Sequence, residues 1–190
     1  MLMTFSEFCR EVSNKNLVQA SSGNASVRQE NLFKITQSGV WFKDVEFECY
    51  NFHEDKVVTN CSINDNSVEG INPSSEALMH KLIYQARPDV NVVLHCQSIY
   101  ATTLAYNHSL YFNVIPEVPY YIGEVGWVPC LKPGSMELAD AVVEEIETHY
   151  VLQLINHGQV IVGESFDEVL QRAIFFELAC QIVVNRSKIS

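Results

Sequence analysis

The chain has 190 residues, 47% hydrophobic and 18% charged, with 12 Lys and Arg against 23 Asp and Glu for a formal net charge of -11. That length suits one domain that buries a core without disulfides, and the composition excludes a disordered chain. An acidic field with no basic stripe argues against nucleic acid and anionic membranes, so an anionic ligand needs local positive potential: backbone N–H groups, a metal ion, or residues such as Arg28, Lys43 and Lys132.

No stretch approaches the roughly 18 apolar residues of a membrane span. The opening MLMTFSEFCREV has neither the basic flank nor the apolar run of a signal peptide, so a cytoplasmic protein is expected. The six cysteines (9, 49, 61, 96, 130 and 180) form no C-x-x-C pair and read as ordinary buried thiols of a reducing compartment.

Phe5, Phe8, Cys9 and Val12 follow helical spacing behind a capping Thr4, which predicts a first helix ending near Asn14 to Asn16. Short strands follow at Asn24 to Arg28, Leu32 to Thr36, Phe47 to Phe52 and Lys56 to Thr59, in the pattern of an antiparallel meander, and the polar Asn60 to Asn72 reads as a loop. Ser74 or Ser75 caps a helix from Glu76 to Arg87 that Pro88 ends, because the residue before proline resists the helical region. Asn91 to His95 is a buried-type strand and Ser98 to Tyr106 a helix. Leu110 to Pro133, with four prolines and three tyrosines, reads as irregular strand and loop. Ser135 caps a helix to about Thr148; strands at Tyr150 to Ile155 and Gln159 to Val162 flank the turn Asn156-His157-Gly158, and a last helix runs from Phe166 to about Arg186. Strands first, then alternating strands and helices, predict a largely antiparallel central sheet with helices on both faces.

Residues i and i+2 of a strand share a face, so His95 and Gln97 point together while Cys96 points into the core. A lone strand-end histidine is either a hydrogen-bonded structural residue or a ligand. His157 stands at a second strand end, beside a glycine that permits close approach, and the two invite a shared site, with a pair of structural histidines as the alternative. His53, His80, His108 and His149 fall in a turn, on a helix, in a loop and at a helix end, where solvation or capping explains each. Glu76 opens its helix where free N–H groups favour negative charge. It either serves the dipole or projects into a pocket as a general acid/base, with Ser74, Ser75 and those N–H groups holding phosphate. Gly23-Asn24 and Thr36-x-Ser38-Gly39 are turns of the same small, polar kind.

In order, Ser22-Gly23-Asn24-Ala25-Ser26-Val27-Arg28, Thr36-Gln37-Ser38-Gly39, Pro73-Ser74-Ser75-Glu76, Arg87 through His95, Pro133-Gly134-Ser135-Met136-Glu137-Leu138-Ala139 and Asn156-His157-Gly158 resemble the class II aldolase/adducin family, from about Thr4 to Ala179. That family includes fuculose-phosphate and rhamnulose-phosphate aldolases and ribulose-phosphate 4-epimerase. The resemblance implies an α/β fold of three αβα layers around a mostly antiparallel sheet. It implies one such domain over residues 1–190, assembled as a homotetramer with sites at subunit boundaries. By the same resemblance Gly23, Asn24, Thr36, Ser38, Gly39, Ser74 and Ser75 bind phosphate and Glu76 is the catalytic carboxylate. His95 and His157 are two of three histidines on a divalent metal, usually zinc, and Tyr120 or Tyr121 lies where some aldolases place a tyrosine from a neighbouring subunit. Gln97 departs from the family's His-x-His; its neutral, harder oxygen weakens zinc and shifts preference toward manganese or magnesium. The chain stops at Ser190 soon after the last helix, so the C-terminal segment that some aldolases close over substrate is expected to be missing.

The implied activity is a metal-dependent lyase acting on a small phosphorylated sugar or keto acid through an enediolate, with Glu76 moving protons. The rival from another class is a non-catalytic, adducin-like binding or scaffold protein with a degenerate metal site.

Overall fold

The computed structural model describes residues 3–30, 32–44, 47–51, 57–58, 74–106 and 111–189. The expected loop from Asn60 to Asn72 lies outside the described residues, as do His53, Cys61, Pro73 and His108.

Helix α1, Phe5–Asn14, starts on a reciprocal cap: the Glu7 N–H donates to Thr4 Oγ1 at 3.3 Å, and the Thr4 N–H donates to the Glu7 carboxylate at 2.7 Å. Phe5, Phe8, Cys9 and Val12 are buried, as their spacing requires. Thr4→Ala should lower stability by about 1 kcal/mol. The reading is a lower urea midpoint at unchanged slope, and an unmoved midpoint would remove the cap from the account of this helix.

Strands β1 (Asn24–Gln29), β2 (Leu32–Thr36), β3 (Phe47–Asn51) and β4 (Val57–Val58) form the expected meander. Then come α2 (Ala77–Ala86), β5 (Val92–Cys96), α3 (Ile99–Leu104), β6 (Val125–Val128), α4 (Met136–Ile146), β7 (Val151–Leu154), β8 (Gly158–Gly163) and α5 (Phe166–Arg186). The strand order is β4-β3-β2-β1-β5-β8-β7-β6, antiparallel at every pairing except β6 with β7. Alternation along the strands feeds two cores. Val92, Leu94 and Cys96 join residues of α1, α3 and α5 on one face, whereas Val93, Val160 and Val162 join residues of α2 and α4 on the other. This is the three-layer αβα arrangement with a mostly antiparallel sheet.

Four expectations need correction. The Leu110 to Pro133 stretch is more regular than its prolines suggest: a wide turn, Val118–Ile122, is closed by the Gly123 N–H on the Val118 carbonyl at 2.9 Å, and β6 follows it as the parallel edge strand. Helix α2 starts one residue later than expected: the chain makes a turn at Ser74 and Ser75, with the Ala77 N–H on the Ser74 carbonyl at 3.0 Å and the Glu76 N–H on Ser74 Oγ at 3.3 Å, so Glu76 becomes the N-cap without a side-chain cap bond of its own. Cys9, Cys96 and Cys180 are buried thiols, but Cys130, in the connection after β6, is exposed. Arg28 is a structural cation rather than one that faces a ligand: it donates to the Val90, Tyr84 and Arg87 carbonyls at 2.9, 2.7 and 3.1 Å and ties β1 to the end of α2. No helix among the described residues is long and apolar enough to cross a membrane.

Candidate active site

Antiparallel pairing brings three strand ends together: Asn24 at the start of β1 is opposite His95 near the end of β5, and Gln159 of β8 is opposite Cys96. The approach is tight. A Cβ on Gly158 would collide with the Cys96 carbonyl and stand 3.0 Å from Gln97 Cγ, so glycine lets β8 lie against the end of β5. His157, in the turn just before β8, then stands with its ring 4.8 Å from that of His95, edge to face. From the helical layer above, the N-cap of α2 adds Glu76. The candidate ligand atoms of Glu76, His95 and His157 all lie within 4.8 Å of one another.

The hydrogen bonds fix the state of His95. Its Nδ1 lies 2.9 Å from the Gln159 carbonyl, which can only accept, so Nδ1 carries the proton and Nε2 presents a lone pair. The Gln97 Nε2 amide donates to that lone pair at 3.0 Å. Gln97 therefore shares the face of His95, as strand alternation requires, and Cys96 lies in the opposite core, where its thiol meets Gln159 Oε1 at 3.9 Å. Burial, reinforced by the neighbouring His157, pushes the His95 pKa down to about 3 against the opposing Gln159 carbonyl, and burial likewise lowers that of His157. Both imidazoles are neutral at physiological pH, the state that ligates a metal.

Glu76 is only 4% exposed, and among the described residues neither carboxylate oxygen has a hydrogen-bond partner. Burial raises its pKa; the Gly134 N–H faces the carboxylate and opposes the shift without completing a bond. Gln97 Oε1 and His157 Nδ1 are also buried without partners. Buried polar groups left unpaired cost about 1–3 kcal/mol each. Two imidazole nitrogens and a carboxylate converging in this way fit a divalent cation, and the orphaned Glu76 oxygens are what such an ion would satisfy.

A cavity of about 200 Å³ opens over this cluster. Of the expected phosphate residues, Gly23, Asn24, Ser38, Gly39, Ser74 and Ser75 line it together with Glu76, His95, Gln97 and His157. Thr36 does not; it is fully buried, and its hydroxyl accepts the Ala25 N–H at 3.2 Å, holding the turn from beneath. Tyr120 and Tyr121 are also away from the cavity. They stand on the wide turn against α5, Tyr121 stacked on Phe175 and Tyr120 81% exposed.

Ser21, Gln37 and Pro133 complete the lining; no role is expected of them from the sequence, although Gln37 and Pro133 lie inside the quoted motifs and Ser21 directly precedes one. Sequence reasoning misplaced His80, which is fully buried rather than solvated and bonds Asn24 and Ser26. The available signal was the spacing of Glu76, His80 and Tyr84, four apart along one helix face. A second support is the pair Gln153 and Gln159, both fully buried. Gln159 Oε1 accepts from the Ser98 N–H and hydroxyl at 3.1 Å, and Gln159 Nε2 donates to Gln153 Oε1 at 2.9 Å, so the chain just beyond Gln97 is pinned to β8.

The sequence profile described as "Class II Aldolase and Adducin N-terminal domain" matches residues 4–184. The chain belongs to this family. Among curated class II aldolase relatives, the L-fuculose phosphate aldolase of Methanococcus maripaludis is 30% identical over 98% of this chain and 99% of its own length. The 5-methylthioribulose-1-phosphate/5-deoxyribulose-1-phosphate aldolase of Escherichia coli is 32% identical over 85% of this chain and 73% of its own. The crystal structure of L-fuculose-1-phosphate aldolase from Thermus thermophilus superposes with a TM-score of 0.78 at 24% identity, covering 96% of this chain and 92% of the other, which shows a common class II aldolase fold.

Proposed function

We propose that residues 1–190 act as one unit, a metal-dependent aldehyde-lyase of the aldolase type that works on a small phosphorylated sugar or keto acid. The observation that carries this reading is the convergence of Glu76, His95 and His157 within 4.8 Å at the floor of a cavity rimmed by serines and glycine turns. The activities named for the relatives, both on sugar phosphates, support it.

His95, His157 and Gln97 would hold a divalent cation, zinc first and manganese or magnesium as the harder choices that a glutamine oxygen favours; the ion supplies positive charge against the enediolate formed when the bond beside a carbonyl is cleaved. Phosphate is held at Gly23, Asn24, Ser38, Gly39, Ser74 and Ser75, by N–H and hydroxyl donors rather than by cations, which suits a chain of net charge -11. Glu76 moves the proton, and a carboxyl whose pKa is raised by burial is better matched to that task near neutral pH. In a cytoplasmic homotetramer, the exposed Tyr120 or its neighbour Tyr121 reaches the cavity of the adjoining subunit.

The test is metal analysis of protein purified without chelator, beside turnover of a panel of phosphorylated ketoses with added zinc or manganese. A bound divalent metal and metal-dependent cleavage are expected. Gln97→His should tighten zinc binding tenfold or more, since it frees the His95 lone pair and adds a nitrogen donor. No metal, and no response of stability or turnover to zinc or manganese, would defeat the proposal. One observation favours a second reading, the adducin-like scaffold: the Gln97 amide occupies the very lone pair of His95 that a metal requires.

A further inference from the structure

Four buried polar side chains run in a line from the core between β1 and α2 to the cavity. Tyr84 Oη lies 2.7 Å from Ser26 Oγ, Ser26 Oγ 2.6 Å from His80 Nδ1, and His80 Nε2 2.6 Å from Asn24 Oδ1. Only Asn24 reaches the cavity. Two elements supply the line: Asn24 and Ser26 alternate onto one face of β1, and His80 and Tyr84 stand one helical turn apart on α2.

Such a line has two senses, because each hydroxyl, the imidazole and the amide can exchange donor for acceptor. In the first, Tyr84 O–H donates to Ser26, Ser26 O–H donates to His80 Nδ1, and His80 Nε2–H donates to Asn24 Oδ1. The Asn24 Nδ2 amino group is then left for the cavity. In the second every donor reverses. Asn24 gives its amino group to His80 and turns Oδ1 to the cavity. The structure places Asn24 Oδ1, which can only accept, 2.6 Å from His80 Nε2. That placement is the first sense, with Nε2 carrying the proton and Nδ1 left to accept from Ser26.

We infer that His80 is a positioning residue which, held by Ser26 and Tyr84, fixes the Asn24 carboxamide with Nδ2 toward the cavity and so selects for an anionic oxygen there. A reversed amide would present a carbonyl oxygen and repel the same group, so the line sets the sign of this wall. The inference rests on reading the cavity as a phosphate site, and two measurements separate the two claims.

The first is the ¹⁵N spectrum of histidine-labelled wild-type protein, which reports the His80 tautomer without any ligand. The proton is expected on Nε2; a proton on Nδ1 overturns the inference. The second is inorganic phosphate titrated into wild type, His80→Phe and His80→Gln. Glutamine offers a donor toward Asn24 and an acceptor toward Ser26, so it should stay within about threefold of wild type, whereas phenylalanine should weaken phosphate about tenfold or more through the lost orientation of a hydrogen bond to a charged group. A folded His80→Phe that binds phosphate as tightly as wild type overturns the inference. Wild type that ignores phosphate defeats the phosphate reading instead, and the tautomer still decides the line.

Discussion

Glu76→Gln should lower kcat for cleavage of a phosphorylated ketose by about 10²–10⁴, the usual worth of a positioned general acid/base, with a much smaller change in KM. The substitution keeps the size of the side chain and removes only its capacity to take up and release a proton. It should not destabilise the metal-free fold. The carboxylate is buried, neither oxygen is hydrogen-bonded, and burial raises its pKa in the folded state. A raised folded pKa means that the folded state binds the proton more tightly than the unfolded one. The ionised group therefore costs stability above its folded pKa, and that cost is relieved as pH falls toward the ordinary carboxylate range. Metal-free Glu76→Gln should accordingly match or exceed wild type in thermal midpoint at neutral pH, with the difference closing on acidification. Undiminished turnover, or a lower midpoint at neutral pH, would remove Glu76 from its assigned role.

The same two facts separate function from fold at this position. A helix N-cap is ordinarily a small polar residue whose side chain accepts an N–H of the first turn, and Glu76 makes no such bond. The helix gains nothing local from the glutamate, and the fold tolerates an unsatisfied carboxylate beside two neutral imidazoles. That arrangement makes physical sense where a cation completes it. Gln97 fits the same account only in part: its oxygen is orphaned, but its nitrogen closes the lone pair of His95. Whether the ion or the amide holds that lone pair is the point on which lyase and scaffold divide.

Much of this was legible in the sequence because it depends on local rules. Strand alternation placed His95 and Gln97 on one face and Cys96 on the other, and spacing gave α1 and α5 nearly to the residue. Other features depend on contacts between distant segments. The strand β6 is hidden between Pro119 and Pro129, and its parallel pairing with β7 is set by where α4 returns the chain. His80 reads as an ordinary polar helix residue until β1 is laid against α2, which supplies its two partners from more than fifty positions away. Thr36 carries the right chemistry for a phosphate ligand, but it is fully buried beneath the cavity and does not line it. Residue type located the turns; only the packing decided which hydroxyls reach the cavity.

Gly23→Ala should be among the most destabilising single-methyl substitutions in the chain, and Gly39→Ala supplies its control. Both glycines are left-handed, with φ of +79° and +76°, so each alanine meets the same backbone penalty of about 1–2 kcal/mol. They differ in space. Among the described residues nothing lies within 4 Å of a Cβ on Gly39, whereas on Gly23 it would stand 2.7 Å from the His95 carbonyl oxygen and 2.8 Å from Val18 Cγ1. The Val18 methyl can shift, but the carbonyl belongs to β5 in the middle of the sheet, so β1 must be pushed from β5 where Asn24 pairs with His95. Overpacking of this kind adds about 1–3 kcal/mol. At about 2–4 °C per kcal/mol for a chain of this size, Gly39→Ala should melt a few degrees below wild type and Gly23→Ala roughly 4–20 °C below. Because the displaced backbone carries both Asn24 and His95, Gly23→Ala should also weaken phosphate and metal binding at temperatures where it remains folded. Equal melting temperatures for the two variants would show that β1 yields freely at this point, and that the close approach of Gly23 to His95 does not hold the site together.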